Sequence, residues 1–539
     1  MNDNSGHKVG LVTSISGAKL IAVLDSEAVD ASAANSDHAI GSGAMVKMVT
    51  PSSNVFGIIS SLRMAQTKTG VNTAAPLTIE IDLMGEIPHP SERHPEPVFQ
   101  RGVSVYPTLG TEVLATTREE MSRVYARPRA STVRVGTVHH DSSLPAYVVT
   151  DDLLGKHFAV LGTSGCGKSC ALALILRAVL TEHPNAHVML LDPHNEYAHA
   201  FTDMAELINP MNLQLPYWLL NFEESAAVMT GGQGLESESE QAILKNVITW
   251  ARKKFMHDQG DTRFITVDTP VPYRLGDMTR QIDQEMGKLD KPENSIPYLR
   301  LMARIESLTS DARFSFMFGG GLMVRDVLPE ILARLFRIPV NGKPITIFDL
   351  SDVPSEIVDV VVSVLCRMIF DFSLWSVGSK AVPITLVCEE AHRYIPHNDA
   401  YGFGPTKQAI SRIAKEGRKY GVSLGLVSQR PSELSPSILS QCNTLFALRM
   451  SNEQDQQYVR RAMPENAMKL LTALPSLRTQ ETIVVGEGVT VPMRMRFDDL
   501  PPEHQPKSDN ASFAESWMED TEERPYVEGT VERWRKQSR

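Results

Sequence analysis

The chain has 539 residues, 42% of them hydrophobic and 22% charged, with a formal net charge of −11. That length supports a sizeable core and divides naturally into two or three domains. The acidic balance excludes a basic field over the whole surface, so any nucleic-acid contact has to be local. Five scattered cysteines with no paired spacing exclude a disulfide framework or a cysteine zinc site.

Residues 1–140 read as short strands. KVGLVTSISGAKLIAVLD places two apolar stretches around a Ser-Gly turn, a hairpin signature. MVKMVTPSSNVFGIISSLRM repeats the form around Pro-Ser-Ser-Asn, LTIEIDLMGEI alternates with period two as a half-buried strand does, and RGVSVYP reads as a further strand. Many short strands with almost no helical period point to a small β-barrel with no catalytic residues of its own.

From HFAVLG the pattern becomes strand, Gly-rich turn, helix, strand, the grammar of a parallel α/β sheet. Core strands are expected at 157–162, 187–192, 344–350, 384–389, 422–428, 444–449 and 482–486. The core thus falls in two parts, 141–220 and 341–500. Between them, 221–340 lacks strand signals. ESESEQAILKNVITWARKKF and YLRLMARIESLTSDARFSFMF have helical period, so the segment reads as a mostly helical insertion. Residues 501–539 are a polar, acidic tail. No run of about eighteen apolar residues occurs, so no membrane span is expected. No signal peptide is read before the first strand, and the chain is placed in the cytoplasm.

The strongest chemical signal is Gly162-Thr163-Ser164-Gly165-Cys166-Gly167-Lys168-Ser169, with Cys170 next, between the strand HFAVL and the helix that follows. It matches the phosphate-binding loop G-x-x-x-x-G-K-S. Its glycines let the backbone wrap a phosphate, and the loop amides and helix N-terminus point positive charge at it. Lys168 is expected to reach the β- and γ-phosphates of ATP and Ser169 to bind Mg²⁺.

The run ITLVCEEAHRYIP ends a buried strand in two adjacent carboxylates. In a sheet with a phosphate loop, such a strand end meets the nucleotide. Glu389 is expected to orient the metal and Glu390 to polarise the attacking water, because successive strand residues point to opposite sides. Asp192 and Glu196, in LLDPHNEY, either line the nucleotide site or belong to a capping turn. Gln429, in VSQRP, either senses the γ-phosphate or lies in a strand-ending turn. The basic residues Arg412, Lys415, Arg418 and Lys419 either complement a helix C-terminus or supply a cation to a neighbouring subunit's nucleotide. His392 reads as a structural link between the nucleotide site and a nearby loop.

Together these residues resemble the HerA family, within the broader HerA–FtsK group of phosphate-loop motors. The resemblance rests on GTSGCGKS, LLDPHNEY, ITIFDLSDVPSEIVDVVVSVLCRMIFDF, LVCEEAHRYIP, RIAKEGRKYG, LGLVSQRPSELSPSILSQCNT and TIVVGEGVTVPMRMRF, in order across residues 155–500. It implies a RecA-like ATPase core with an N-terminal barrel of the HerA type and a helical insertion. It further implies an ATP- and Mg²⁺-dependent translocase or helicase on double-stranded DNA, a homohexameric ring, and a nuclease partner of the NurA type or a defence effector against phage. By the same resemblance Arg418 is the trans-acting finger and Gln429 the sensor. The chain departs from the family at Glu389, where aspartate is common. Two alternatives stand beside the motor: an ATP-regulated scaffold for a defence effector, and a secretion or conjugation ATPase of the same superfamily.

Overall fold

A computed structural model describes the chain except residues 1–6, 26–40, 42, 65–76, 93–94, 214, 231–234, 258–260, 320–324, 352, 355, 377–380, 399–400, 464–467, 469, 508–516, 519–523 and 537–539. The N-terminal strands are β1 (Lys8–Ser16), β2 (Lys19–Leu24), β3 (Met45–Val49), β4 (Ser53–Met64), β5 (Leu77–Pro88), β6 (Gln100–Arg101) and β7 (Glu112–Ala115). They pair in the order β2-β1-β7-β3-β4-β5-β6, and β2 also pairs with β5. That last pairing closes β1–β5 and β7 into an antiparallel barrel, which removes its sheet edges. Val9, Leu20, Val46, Val55, Ile79 and Ile81 are among the side chains that fill it.

Two expectations for this region change. The strand at LTIEIDLMGEI is buried almost continuously from Ile81 to Ile87 rather than alternately. Ile79, Ile81 and Leu83 face the barrel interior. Met84 and Ile87 pack instead with the ATPase-core cluster, so both faces are covered. In RGVSVYP only the first residue stays in a strand, because β6 stops at Arg101. The Arg101 guanidinium turns to the core, donating to Gly486 O at 2.8 Å and Val489 O at 3.1 Å.

The core sheet contains β8 (Thr132–Val138), β9 (Asp141–Val149), β10 (Phe158–Leu161), β11 (Val188–Asp192), β12 (Ala205–Ile208), β13 (Ile345–Asp349), β14 (Ile384–Cys388), β15 (Val422–Ser428), β16 (Thr444–Leu448), β17 (Glu481–Gly486) and β18 (Met493–Phe497). Their order is β12-β13-β11-β14-β15-β10-β16-β17-β18-β8-β9. The strands from β12 to β16 in that order run parallel, and the remainder antiparallel. All seven expected core strands form.

Residues 132–138 were expected in the barrel segment that ends at 140. They form β8, which pairs with β18 in the core sheet. Gly136 permits this register, since a Cβ there would lie 2.1 Å from Arg496 O. Val133, Val135 and Val138 join a core cluster with Met495 and Phe497, and that shared burial draws β8 away from the barrel. Strands β9, β12 and β18 were not expected. β12 and β18 are short and carry few β-branched residues.

Between β12 and β13 the chain is helical: Phe222–Met229, Leu235–Met256, Leu275–Met286, Ile296–Ser310, Ser315–Phe318 and Leu328–Phe336. Leu244, Val247, Ile248, Leu301 and Ile305 merge with the main core. Fully buried Arg252 ties the insertion to the segment before it, donating to Val267 O at 2.6 Å and to Trp218 O and Leu220 O at 3.0 Å, and also to Thr269 O. Glu224, also fully buried, takes the Arg367 guanidinium at 2.8 Å from the helix Val358–Trp375. The chain divides after Pro506, so residues 501–506 of the tail expected at 501–539 stay with the first unit, and the second, Lys507–Arg539, contains the helix Arg524–Lys536. No described helix is long and apolar enough to cross a membrane.

Candidate active site

The sheet order sets the site. β15 lies between the strand of the glycine loop, β10, and the strand of the paired acids, β14. Side chains at the end of β15 therefore reach both. Gly162 N donates to Ser428 O at 3.2 Å and Thr163 N to Arg449 O at 3.0 Å, so the ends of β15 and β16 hold the loop. A Cβ at Gly162 would fall 2.8 Å from Cys166 Sγ, and Gly167 has a left-handed φ of +99°. The loop then enters the helix Lys168–Glu182.

Lys168 is buried, and its Nζ donates to Thr163 O at 3.0 Å. Among the described residues no carboxylate lies within ion-pair distance of it. A buried ammonium resting on a loop carbonyl, beside open helix amides, suits a polyanion. The residues here fit the phosphates of a nucleotide.

Glu389 and Glu390 fall in the turn after β14, which ends at Cys388, and not on the strand whose alternation was expected to part them. Tyr197 donates its hydroxyl to Glu389 Oε2 at 2.8 Å, on the β11 side. The Ser169 hydroxyl donates to Glu196 Oε2 at 2.7 Å. Burial, with Glu390 and Glu196 adding to it, pushes the Glu389 carboxyl up to about 8, against the Tyr197 hydrogen bond and the Lys168 charge. Two carboxylates and a hydroxyl form an oxygen donor set that fits Mg²⁺. The extra methylene of glutamate reaches Tyr197 here, which bears on the departure from aspartate.

Glu390 takes a left-handed backbone, φ 48° and ψ 45°, that turns its carboxylate toward β15. Gln429 Nε2 donates to Glu390 Oε1 at 2.6 Å. The Gln429 carbonyl in turn accepts the Ser164 hydroxyl. Glu390 Oε2 is buried without a hydrogen bond and faces His392 Nδ1 at 3.3 Å. Burial lowers the His392 pKa, with Glu390 acting the other way, and Nδ1 also meets Ser428 Oγ at 3.2 Å. His392 thus links the acid to the end of β15.

Asp192 does not line the nucleotide space. It is fully buried, and its carboxylate accepts Tyr197 N at 2.9 Å and His194 N at 3.3 Å. The capping turn takes this acid, pushed up to about 6 by burial, and its effect is to present Glu196 and Tyr197. Cys166 is buried in the loop, and Cys170 is half-buried on the first helical turn, its thiol raised by burial and by Glu196. Arg418 is exposed in the turn before β15, at the opposite end of that strand from Gln429, so the chain does not bring it to its own site.

Sequence reasoning missed Tyr197 as a site residue. The available signal was an aromatic with a polar tip one position past an acid at a strand end. It also missed Arg449, whose carbonyl accepts both Thr163 N and Thr163 Oγ1 at 3.0 Å. Nothing in its local sequence announces that contact.

Residues 133–369 match the family model described as "Helicase HerA, central domain". The chain is 26% identical over 427 residues to the "Probable DNA double-strand break repair helicase HerA" of Methanocaldococcus jannaschii, covering 72% of this chain and 80% of that one. It is 25% identical over 398 residues to the "DNA double-strand break repair helicase HerA" of Pyrococcus furiosus, covering 68% and 69%. Over its central part the chain is thus similar to the HerA helicases. It is an ATPase, with its glycine loop and Lys168 inside the matched residues and Glu389, Glu390 and Gln429 beyond them. Among solved structures, VirB4 of Thermoanaerobacter pseudethanolicus aligns at TM-score 0.47 and 17% identity, over 70% of this chain and 99% of that one. The bacterial conjugative coupling protein TrwB aligns at 0.46 and 14%, over 73% and 94%.

Proposed function

We propose that the chain couples Mg²⁺-dependent ATP hydrolysis to movement along double-stranded DNA as a homohexameric ring serving a nuclease or another effector, including one used in defence against phage. The observation that carries this reading is the division of the site. Lys168, Glu390 and Gln429 converge at the carboxyl ends of β10, β14 and β15, while exposed Arg418 sits at the other end of β15. A cation so placed serves a neighbour's nucleotide, and a site completed by a neighbour suits a ring. The family relatives named as helicases support DNA as the track.

In this reading Lys168 and the loop amides hold the ATP phosphates. Ser169 and Glu389, steadied by Tyr197, hold Mg²⁺ with Glu196 beside them. Bound Mg²⁺ supplies charge neutralisation on the phosphate oxygens. Glu390 Oε2, free of hydrogen bonds, accepts the proton of the attacking water as its oxygen bonds the γ-phosphorus and the bond to ADP breaks. Gln429 moves from Ser164 to the γ-phosphate and reports its presence to Glu390. Arg418 of the neighbour offsets charge on the transferred group.

The net charge of −11 fits this reading, because a ring needs cations only along its channel and contacts phosphates without regard to sequence. The barrel is the platform for the effector. Val98, Tyr106 and Leu109 stand exposed around β6 and β7, which supports protein contact there. Displacement of a triplex-forming strand from linear duplex DNA tests the motor. Wild type with ATP and Mg²⁺ is expected to displace the strand, and Lys168→Ala is not. Equal displacement by both would overturn the reading.

A further inference from the structure

His157 precedes β10 and is buried, with a left-handed φ of 57° that few residues bearing a side chain adopt. Its ring is held on both sides. Leu424 N donates to Nδ1 at 3.0 Å, and Nε2 meets Ala414 O at 3.1 Å, which fixes the proton on Nε2. Ala414 lies in the last turn of the helix Gly404–Glu416, and Leu424 lies in β15. The ring therefore clamps both ends of the segment that carries Arg418, close enough for the Arg418 charge to bear on it. On its other side, His157 leads through the four residues of β10 directly into the glycine loop.

We infer that His157 is a positioning residue that ties the Arg418 turn to the strand carrying the glycine loop, and so sets where each subunit presents its cation to the next subunit's nucleotide. This rests on the reading of Arg418 as a trans-acting cation. Any buried imidazole satisfies both ring nitrogens, but this one does so on the two sides of the Arg418 turn, at Ala414 and Leu424.

Subunit mixing tests it on the full chain. His157→Gly keeps the backbone conformation accessible and removes the ring. His157→Asn tolerates the same φ and restores an acceptor for Leu424 N. His157→Gly is expected to lower kcat about tenfold or more, with ATP affinity within about twofold of wild type, and His157→Asn to recover part of kcat. Assemblies co-expressed from His157→Gly and Lys168→Ala, isolated through two tags, are expected to regain turnover, because a Lys168→Ala neighbour supplies an intact cation to the intact loop of the other. Arg418→Ala mixed with Lys168→Ala is the reference pair. Recovery by the reference pair but not by the His157→Gly pair overturns the inference and leaves Arg418 standing. Recovery by neither overturns the trans role of Arg418 and the inference with it. Loss of ATP affinity in both His157 variants also overturns the inference, since the defect then lies in the subunit's own site.

Discussion

Gln429 donates to Glu390 at 2.6 Å and accepts the Ser164 hydroxyl with its other amide atom, so one side chain spans the acid strand and the glycine loop. Gln429→Ala breaks both contacts and frees Glu390 to rotate. It is expected to lower kcat about a hundredfold, the scale of losing one oriented donor, while KM for ATP stays within about threefold. Phosphate-release kinetics read the split. A raised KM with unchanged kcat would make Gln429 a binding residue only.

Tyr197→Phe keeps the buried ring and removes the hydroxyl on Glu389. The carboxylate then loses the contact that fixes its rotamer. Apparent Mg²⁺ affinity in the ATPase assay is expected to fall about tenfold to a hundredfold, with a fold-stability loss of about 1 kcal/mol. An unchanged Mg²⁺ titration would remove Glu389 from the metal site.

The raised pKa of Glu389, about 8, gives stability a pH signature. The folded chain binds this proton more tightly than the unfolded chain does. Its contribution is therefore full below the ordinary carboxylate value and is lost as pH rises through about 8. Without nucleotide or metal, the apparent unfolding temperature of wild type is expected to fall more steeply from about pH 5 to 8 than that of Glu389→Gln, with the two curves meeting near the acid end. Parallel curves would contradict the buried, protonated state.

Arg252 gathers two backbone carbonyls of the helical insertion, Val267 and Thr269, and two of the segment just before it, Trp218 and Leu220, and stacks 5.6 Å from the Tyr273 ring centroid. Arg252→Ala removes the donor from the Val267, Trp218 and Leu220 carbonyls, while Thr269 O keeps Val271 N at 2.8 Å, and is expected to cost about 3 kcal/mol. Arg252→Lys recovers little, since one ammonium lacks the planar spread of a guanidinium. Limited proteolysis is expected to cut both variants first within 221–340, against a resistant wild type. Uniform resistance would show that the packing of the helices alone holds the insertion.

The glycine loop, the acid pair and the seven core strands were legible because each is a local pattern: a fixed spacing, a strand end, an apolar run. The bridging position of Gln429 follows from strand order, which no local pattern reveals. Asp192 was ambiguous for a physical reason. An acid at a strand end serves a ligand or the turn's amides equally well by sequence, and only its burial and its bonds to Tyr197 N and His194 N show that the turn takes it. Strand β8 was assigned to the wrong layer because valine alternation marks a strand without naming its partner. Its pairing with β18 depends on Gly136 meeting Arg496 more than three hundred residues later.

In the proposed reading Glu390 activates water for ATP hydrolysis at a site that DNA stimulates. ATP turnover by purified wild type and Glu390→Gln, each with and without linear duplex DNA, tests it most directly. DNA is expected to stimulate wild type strongly, and the variant, which still binds ATP, to lose about a hundredfold or more. Wild-type turnover indifferent to DNA, or a variant that hydrolyses ATP as wild type does, would contradict it.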